Sequence, residues 1–373
     1  MSTSSHPVLL IGSTETCPDI AWLTGFNVHD PVVLLVDGRK RHLVVPQLEY
    51  GRALKQTTGI HIHIPENLPI PKSSRGRFTG WAEGILKHTS NSSVIVPSDF
   101  PLGVAEDLRR RRIKVNSTND RLFPKRETKT ADELKKIKGV QQAAAGAVNV
   151  VVDLIKQSTV SRSKELKLGG KVLTSERLKT AANTYLLERQ CFCDNLIIAS
   201  GRQAADPHDT GSGPIKARET VIIDIFPKSL VHGYCGDITR TVVKGEPTDE
   251  QMKMYKAVFA SHAAALKKVK AGIASSSVHG AAADVFKERD FFTGMRDGLP
   301  VGFFHSTGHG LGLEVHEMPS VSIRPGRLKS GNVITIEPGL YYPEHGGVRI
   351  EDTIAVTKDG YSHLARCPKA FIV

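Results

Sequence analysis

Residues 221–226 read Val-Ile-Ile-Asp-Ile-Phe, an apolar strand with a carboxylate in its interior. An unpaired charge in such a strand is costly, so the fold must bring Asp224 to a cation, a set of hydrogen-bond donors or a metal ion. Three more stretches carry polar groups on strand-like runs. Residues 236–243 (GDITRTVV) predict a strand after a tight turn, and the two-residue period puts Asp237, Thr239 and Thr241 on one face. In 333–339 (VITIEPG), Thr335 and Glu337 oppose Ile334 and Ile336; in 348–353 (VRIEDT), Arg349, Glu351 and Thr353 oppose Val348 and Ile350. Between these lies FFHSTGHGLGLEVHE, residues 303–317. The His305/His309 spacing has the form of a helical metal site, but Gly308, Gly310 and Gly312 would destabilise any helix. They predict backbone that runs close against something else.

Singly, each residue has an ordinary structural explanation. Asp224 or Asp237 could staple a turn, the histidines could be hydrogen-bonded in a core, and Glu351 could pair with Arg349. Jointly, carboxylates on inward strand faces beside a Gly/His loop point to convergence. Four converging carboxylates need about four positive charges, which two divalent ions supply; carboxylate with imidazole suits Mn²⁺ first, with Co²⁺, Zn²⁺ or Fe²⁺ as alternatives. A hydroxide shared by two such ions is a nucleophile at neutral pH.

The order Asp…GDITRT…HSTGHGLGLEVHE…TIEPGLY…GVRIEDT resembles the pita-bread metallopeptidases, the clan of methionine aminopeptidase, aminopeptidase P and prolidase. The resemblance runs from about Thr130 to Val373. It implies two divalent metal ions held by Asp224, Asp237, His309, Glu337 and Glu351, with Asp237 and Glu351 bridging and Glu337 also serving as general base. It implies catalytic roles for His208, His305 and His316, and substrate contacts for His305, His316 and Arg349. His305 and the stretch CPDIAWLTGF (17–26) are similar to the proline-specific branch. The expected activity is therefore hydrolysis of the peptide bond before proline, aminopeptidase P-like or prolidase-like, on peptides with proline second. Two other readings are a metal-free creatinase-like hydrolase and a non-catalytic binding member. Both tend to lose metal ligands, and all five are present. Asp237 follows Asp224 by thirteen positions, two more than is usual in the family, so the hairpin 227–234 is longer and is expected to carry Lys228 and His232 near the site. The usual Asn after the Ser-Gly turn is replaced in Ser200-Gly201-Arg202-Gln203.

The expected fold is α+β: a C-terminal pita-bread domain, residues 126–373, preceded by a smaller α/β creatinase-like N-terminal domain, residues 1–125. The basic, Pro-containing run FPKRETKT (123–130) reads as the linker, and Thr130 with Glu133 as a capping box for a helix over 131–156. Strands are expected at 31–36 and 42–45 around the Asp37-Gly38 turn, and a surface loop at 65–77. The N-terminal domain is expected to wall the site or to contribute to a homodimer.

Fifty Lys+Arg against 38 Asp+Glu give a net charge of +12. Both halves share the excess, and the dense run 109–112 lacks aromatic stacking partners, so a solvated helix end is expected there and no nucleic-acid partner. No apolar run reaches membrane-span length, so no membrane is expected. The first residues, MSTSSH, lack a signal-peptide head. Five cysteines without CxxC spacing fit a reduced, cytoplasmic setting.

Overall fold

A computed structural model describes residues 6–373; the first five residues of the MSTSSH stretch lie outside the described residues. The chain separates into two compact units, Met1–Arg126 and Glu127–Val373. Among the described residues no helix is long and apolar enough to cross a membrane.

Along the first unit run β1 (Val8–Gly12), α1 (Pro18–Thr24), β2 (Val32–Asp37), β3 (Lys40–Val44), α2 (Gln47–Gln56), β4 (His61–His63), α3 (Phe78–His88), β5 (Ser93–Pro97), α4 (Leu102–Arg110) and β6 (Lys114–Thr118). They build one six-stranded sheet, ordered β4-β3-β2-β1-β5-β6. Its apolar strands alternate between two cores, as the strand period requires. Leu9, Val33 and Leu35 pack under α3 and α4 with Ile85, Leu86 and Leu108. Val8, Leu10 and Leu34 pack on the other face with Ile20, Leu23 and Ala53 of α1 and α2. The Asp37-Gly38 turn closes the β2–β3 hairpin, with Gly38 at φ +60°. One expectation needs correction: residues 65–77 are not a plain surface loop, since Leu68 and Ile70 are buried in the α3 core. The run 109–112 is exposed at the end of α4, as expected, with Arg110 paired to Asp107 and Arg111 to Glu83 of α3.

The second unit opens with α5 (Ala131–Gln157), whose Thr130/Glu133 capping box is formed in both directions. A small sheet follows (β7 Thr159–Val160, β8 Leu166–Leu168, β9 Lys171–Val172), then α6 (Ser175–Leu187), β10 (Cys191–Phe192), β11 (Ile197–Ser200), β12 (Thr220–Ile225), β13 (Lys228–Ser229) and β14 (Ile238–Val243). After α7 (Asp249–Lys268) and α8 (Ser275–Glu288) come β15 (Gly294–Arg296), β16 (Leu299–Val301), β17 (Gly308–Gly310), β18 (Glu317–Val321), β19 (Val333–Ile336), β20 (Gly339–Tyr342), β21 (Gly346–Arg349), β22 (Asp352–Val356) and β23 (Tyr361–His363).

Three of these sheets frame the site: β11-β12-β14, β18-β17-β19-β22-β23 and the ribbon β20-β21. α5 and α6 bury the first against Val148, Val151 and Leu178, and α7 and α8 bury the second against Val258, Val278 and Phe286. α8 is not among the elements expected from the sequence. Its Ser-Ser-Ser start and Gly280 are poor helix formers, and the stripe Val278, Ala282, Phe286 is the only helical signal.

Candidate active site

β12 lies centrally in its sheet, paired on both sides, and Asp224 sits directly opposite Thr239 of β14. Cross-strand partners share a face, so the polar residues of β14 point where Asp224 points. Thr239 Oγ1 donates to Glu351 Oε2 at 2.8 Å, and Thr241 Oγ1 donates to the Arg349 carbonyl at 2.9 Å. This is the one-face arrangement that the two-residue period predicts.

The expected strands 333–339 and 348–353 are each broken in two. Glu337 falls after β19 with Pro338 behind it, and Glu351 falls in the gap between β21 and β22. Pro338 has no N–H to give a ladder. At these breaks the backbone changes partner: Glu337 N–H donates to the Thr307 carbonyl at 2.8 Å, and Glu351 N–H to the Thr239 carbonyl at 3.1 Å. Both side chains are thereby turned towards β12 and β14, while Ile334, Ile336, Val348 and Ile350 stay in the α7–α8 core.

The Gly/His stretch is a short bulged strand, β17, inserted between β18 and β19. A Cβ on Gly308 would overlap the Thr335 carbonyl, and one on Gly310 the Met318 carbonyl. The glycines are there for backbone approach, as expected, and they set His309 at the cluster. Its Nδ1 meets the Gly310 carbonyl at 3.1 Å, which only a protonated Nδ1 can satisfy, so in the neutral ring Nε2 carries the lone pair. That atom faces Glu337 Oε1 at 3.3 Å and Asp237 Oδ2 at 3.5 Å. Thr335 Oγ1 accepts from His309 N–H and donates to Glu337 Oε1, fixing both.

Asp237, His309 and Glu351 each bring a ligand atom to within 4.8 Å of the others. Two groups outside the expected ligand set hold Asp237. The Gln141 amide of α5 accepts from its N–H and donates to its carbonyl, both at 2.7 Å, and Thr353 Oγ1 donates to the same carbonyl at 2.6 Å. Asp224 is tied back. Arg349, 3% exposed, donates to its Oδ2 at 2.7 Å, so the guanidinium pairs with Asp224 and not with Glu351 as the ordinary structural alternative would have it. Asp224 Oδ1 and Glu351 Oε1 are buried and accept no hydrogen bond.

The electrostatics match this geometry. Burial, followed by the charges of Glu351, Asp224 and Glu337, holds the Asp237 carboxyl well above the ordinary range. Burial and the charges of Glu337 and Asp224 do the same to Glu351. Burial also raises Glu337, to about 7, with Arg349 opposing and Asp224 adding to the rise. Four carboxylates share one buried guanidinium, so the pocket lacks cation. Orphaned carboxylate oxygens and an imidazole lone pair aimed at carboxylates are donor atoms without an acceptor ion, and they fit divalent metal.

The remaining expected residues are placed as follows. His316 is exposed, with its ring 4.3 Å from that of His309, edge to face. His208 is exposed in the loop before β12 and close enough to His305 and His316 for its charge to depress both. His305 is more constrained than expected. Its Nδ1 meets the Ser306 carbonyl at 2.7 Å, and its Nε2 meets the Tyr341 hydroxyl at 3.1 Å, which in turn accepts from Arg349 at 2.8 Å. Both of its nitrogens are thus engaged within the chain. His232 is not at the carboxylates: the charged groups it senses are Lys136 and Asp132 of α5, and Leu230 beside it bonds back to the Gln190 carbonyl. The extra hairpin residues therefore reach towards α5 and β10. Sequence reading missed Gln141, Tyr341 and His279 of α8, whose Nδ1 meets Thr307 Oγ1 at 2.9 Å.

Comparison with known proteins gives the family and the fold. The model of metallopeptidase family M24 matches residues 135–358, and that of the creatinase/prolidase N-terminal domain matches residues 1–111. The Xaa-Pro dipeptidase of Pyrococcus horikoshii is 32% identical over 376 positions, covering 100% of this chain and 96% of that protein. That of Pyrococcus furiosus is 31% identical, covering 91% and 88%. Among solved structures, the prolidase from Pyrococcus horikoshii OT3 superposes with a TM-score of 0.81 at 28% identity, over 99% of this chain and 96% of that one. An X-Pro aminopeptidase from Thermotoga maritima, TM-score 0.81 at 23% identity over 99% and 97%, shares the fold. The chain belongs to metallopeptidase family M24 and has its pita-bread fold, preceded by a creatinase/prolidase-type N-terminal domain. It is a metallopeptidase.

Proposed function

We propose that this metallopeptidase hydrolyses the peptide bond before proline, using two divalent ions held by Asp224, Asp237, His309, Glu337 and Glu351. The observation that carries the metal reading is the pair of buried, unpartnered oxygens, Asp224 Oδ1 and Glu351 Oε1. The proline reading is supported by the two relatives named Xaa-Pro dipeptidase. Bound there, the ions would supply a Lewis acid for the scissile carbonyl and a water acidified towards neutral pH. Two divalent ions against four carboxylates and Arg349 leave a surplus of one positive charge, the condition that favours loss of a proton from that water.

The chain's own residues supply the rest. Glu337, held by Thr335, takes the proton at its carboxylate and returns it to the leaving nitrogen. His316 and His208, exposed beside the carboxylate cluster, offer ring N–H groups to the substrate carbonyl as charge develops on it. His305, with both nitrogens engaged, presents its ring to the substrate and not a titrating atom. Arg349 orients Asp224 through one arm and the Tyr341–His305 pair through the other.

The test is hydrolysis of Xaa-Pro dipeptides, Xaa-Pro-Xaa tripeptides and matched Xaa-Ala peptides by the full chain, with and without Mn²⁺. Metal-dependent cleavage confined to the proline substrates is expected. Metal-independent cleavage, or equal rates on the alanine peptides, would overturn the proposal.

A further inference from the structure

The N-terminal unit gathers four histidines at one edge of its sheet, none of which the peptidase reading uses. Parallel pairing of β3 with β4 sets His42 opposite His61 and Val44 opposite His63. The two-residue period then points His42, His61 and His63 to one face. It is the face of Leu35, which lies opposite His42 and packs under α3. The last turn of α3 brings His88 onto it.

The rings are in contact. Centroids lie 4.8 Å apart for His42–His61, 5.4 Å for His42–His63 and 5.1 Å for His63–His88. His42, 7% exposed, points Nδ1 at His63 Nε2 across 3.1 Å. β4 is the edge strand, and His61 and His88 are exposed, so the cluster is open to solvent.

A single shared proton satisfies the His42–His63 contact, which is the ordinary account of such a pair. The geometry also fits a second occupant. Two imidazole nitrogens bound at about 2.0–2.1 Å lie about 2.9 Å apart at a right angle and about 3.3 Å apart at a tetrahedral one. The observed 3.1 Å falls between. Metal ligation needs neutral rings, and the surroundings of His42 and His63 favour that form. Burial and the other histidines lower His42, and burial with His42, His88 and His61 lowers His63 to about 4.

We propose that His42 and His63, completed by rotation of the exposed His88, hold one borderline divalent ion of the Zn²⁺, Ni²⁺ or Cu²⁺ class. An all-imidazole set discriminates against Mn²⁺, whereas the carboxylate cluster of the second unit accepts it. The two centres differ in hardness, so they can be loaded separately.

The experiment uses the full chain, stripped of metal, saturated with Mn²⁺ and then titrated with Ni²⁺ by calorimetry at pH 7.5, with bound Mn²⁺ and Ni²⁺ counted by elemental analysis. The wild type is expected to take up one Ni²⁺ per chain beyond any that displaces Mn²⁺. His63→Gln is expected to lose that equivalent with peptidase activity unchanged. Should His63→Gln disturb packing, His88→Gln alters only the exposed member and is expected to weaken the same Ni²⁺ by about tenfold or more. Equal Ni²⁺ stoichiometry and affinity in the wild type and both variants would overturn the proposal. So would Ni²⁺ uptake matched atom for atom by Mn²⁺ release.

Discussion

Glu351 and Asp352 are neighbours in sequence and both almost fully buried, at 2% and 3% exposure, yet they meet opposite treatment. Asp352 faces Arg240 at 2.8 Å, Lys369 at 2.6 Å, His262 at 3.5 Å and His363 at 3.7 Å. Burial pushes its carboxyl up, but Arg240, His262 and Lys369 outweigh burial and hold it below the ordinary range. Glu351, on the other face, receives one hydroxyl from Thr239 and leaves Oε1 without a partner among three other carboxylates. One face of the strand is an ion network closed by the chain itself. The other is left open, with negative charge that the protein does not neutralise. An evolved interior keeps such a deficit where an ion from solution completes it.

The contrast can be broken by substitution. The largest effect is expected at the open side: Glu337→Gln should lower kcat on Xaa-Pro peptides by about 10²–10⁴-fold, the usual contribution of a general base. Thermal unfolding of the metal-free chain should stay near wild type. Loss of activity accompanied by a collapse in stability would mean that Glu337 is part of the scaffold. At the closed side, Asp352→Asn leaves Arg240 and Lys369 facing one another without a counterion. It should cost about 3–5 kcal/mol by denaturant unfolding, as removal of one partner from a buried ion pair does. An Asp352→Asn chain of unaltered stability would remove the distinction between the two faces.

Metal itself should separate the faces by sign. At about a hundred times its dissociation constant, Mn²⁺ should stabilise the wild-type chain by about 2.7 kcal/mol through mass action. Glu351→Gln should abolish most of that gain and leave the metal-free chain at least as stable as wild type, because it removes one of the mutually repelling charges. Scanning calorimetry with and without Mn²⁺ reads both effects. A Glu351→Gln chain destabilised without metal would show that Oε1 has a structural partner after all.

How much of this was legible depends on distance along the chain. The face of each strand follows from local alternation, so Thr239 with Asp237, Glu337 with Thr335 and Glu351 with Arg349 were readable as sets. The glycines of 308–312 excluded a helix correctly, because a missing Cβ has a local meaning. What could not be read was partnership between distant residues. Arg349 stands two positions from Glu351 but pairs with Asp224, 125 positions away. The strand breaks at Glu337 and Glu351 are set by which neighbouring strand each segment joins, and alternation carries no trace of that choice. In the N-terminal unit the sheet and its turn were readable, whereas Leu68 and Ile70 were hidden in a Pro/Ser-rich run that resembles any surface loop.

Gln141 gives the smallest expected effect and the finest test of the comparison. It lies on α5, 96 positions before Asp237, and nothing in its local sequence marks it. Its amide makes a two-bond clamp on the Asp237 backbone, and a Cβ on Gly236 would press against Gln141 itself, so this approach admits little slack. Gln141→Met keeps the length of the side chain and removes both bonds. Leaving the buried N–H unpaired should cost about 1–3 kcal/mol; the carbonyl still accepts from Thr353. If the clamp exists to aim Asp237, Mn²⁺ retention on dialysis should fall by about tenfold, in proportion beyond the stability loss. If retention holds while stability drops, the clamp belongs with Asp352 in the closed framework, and Thr353 alone suffices to keep Asp237 in the open one.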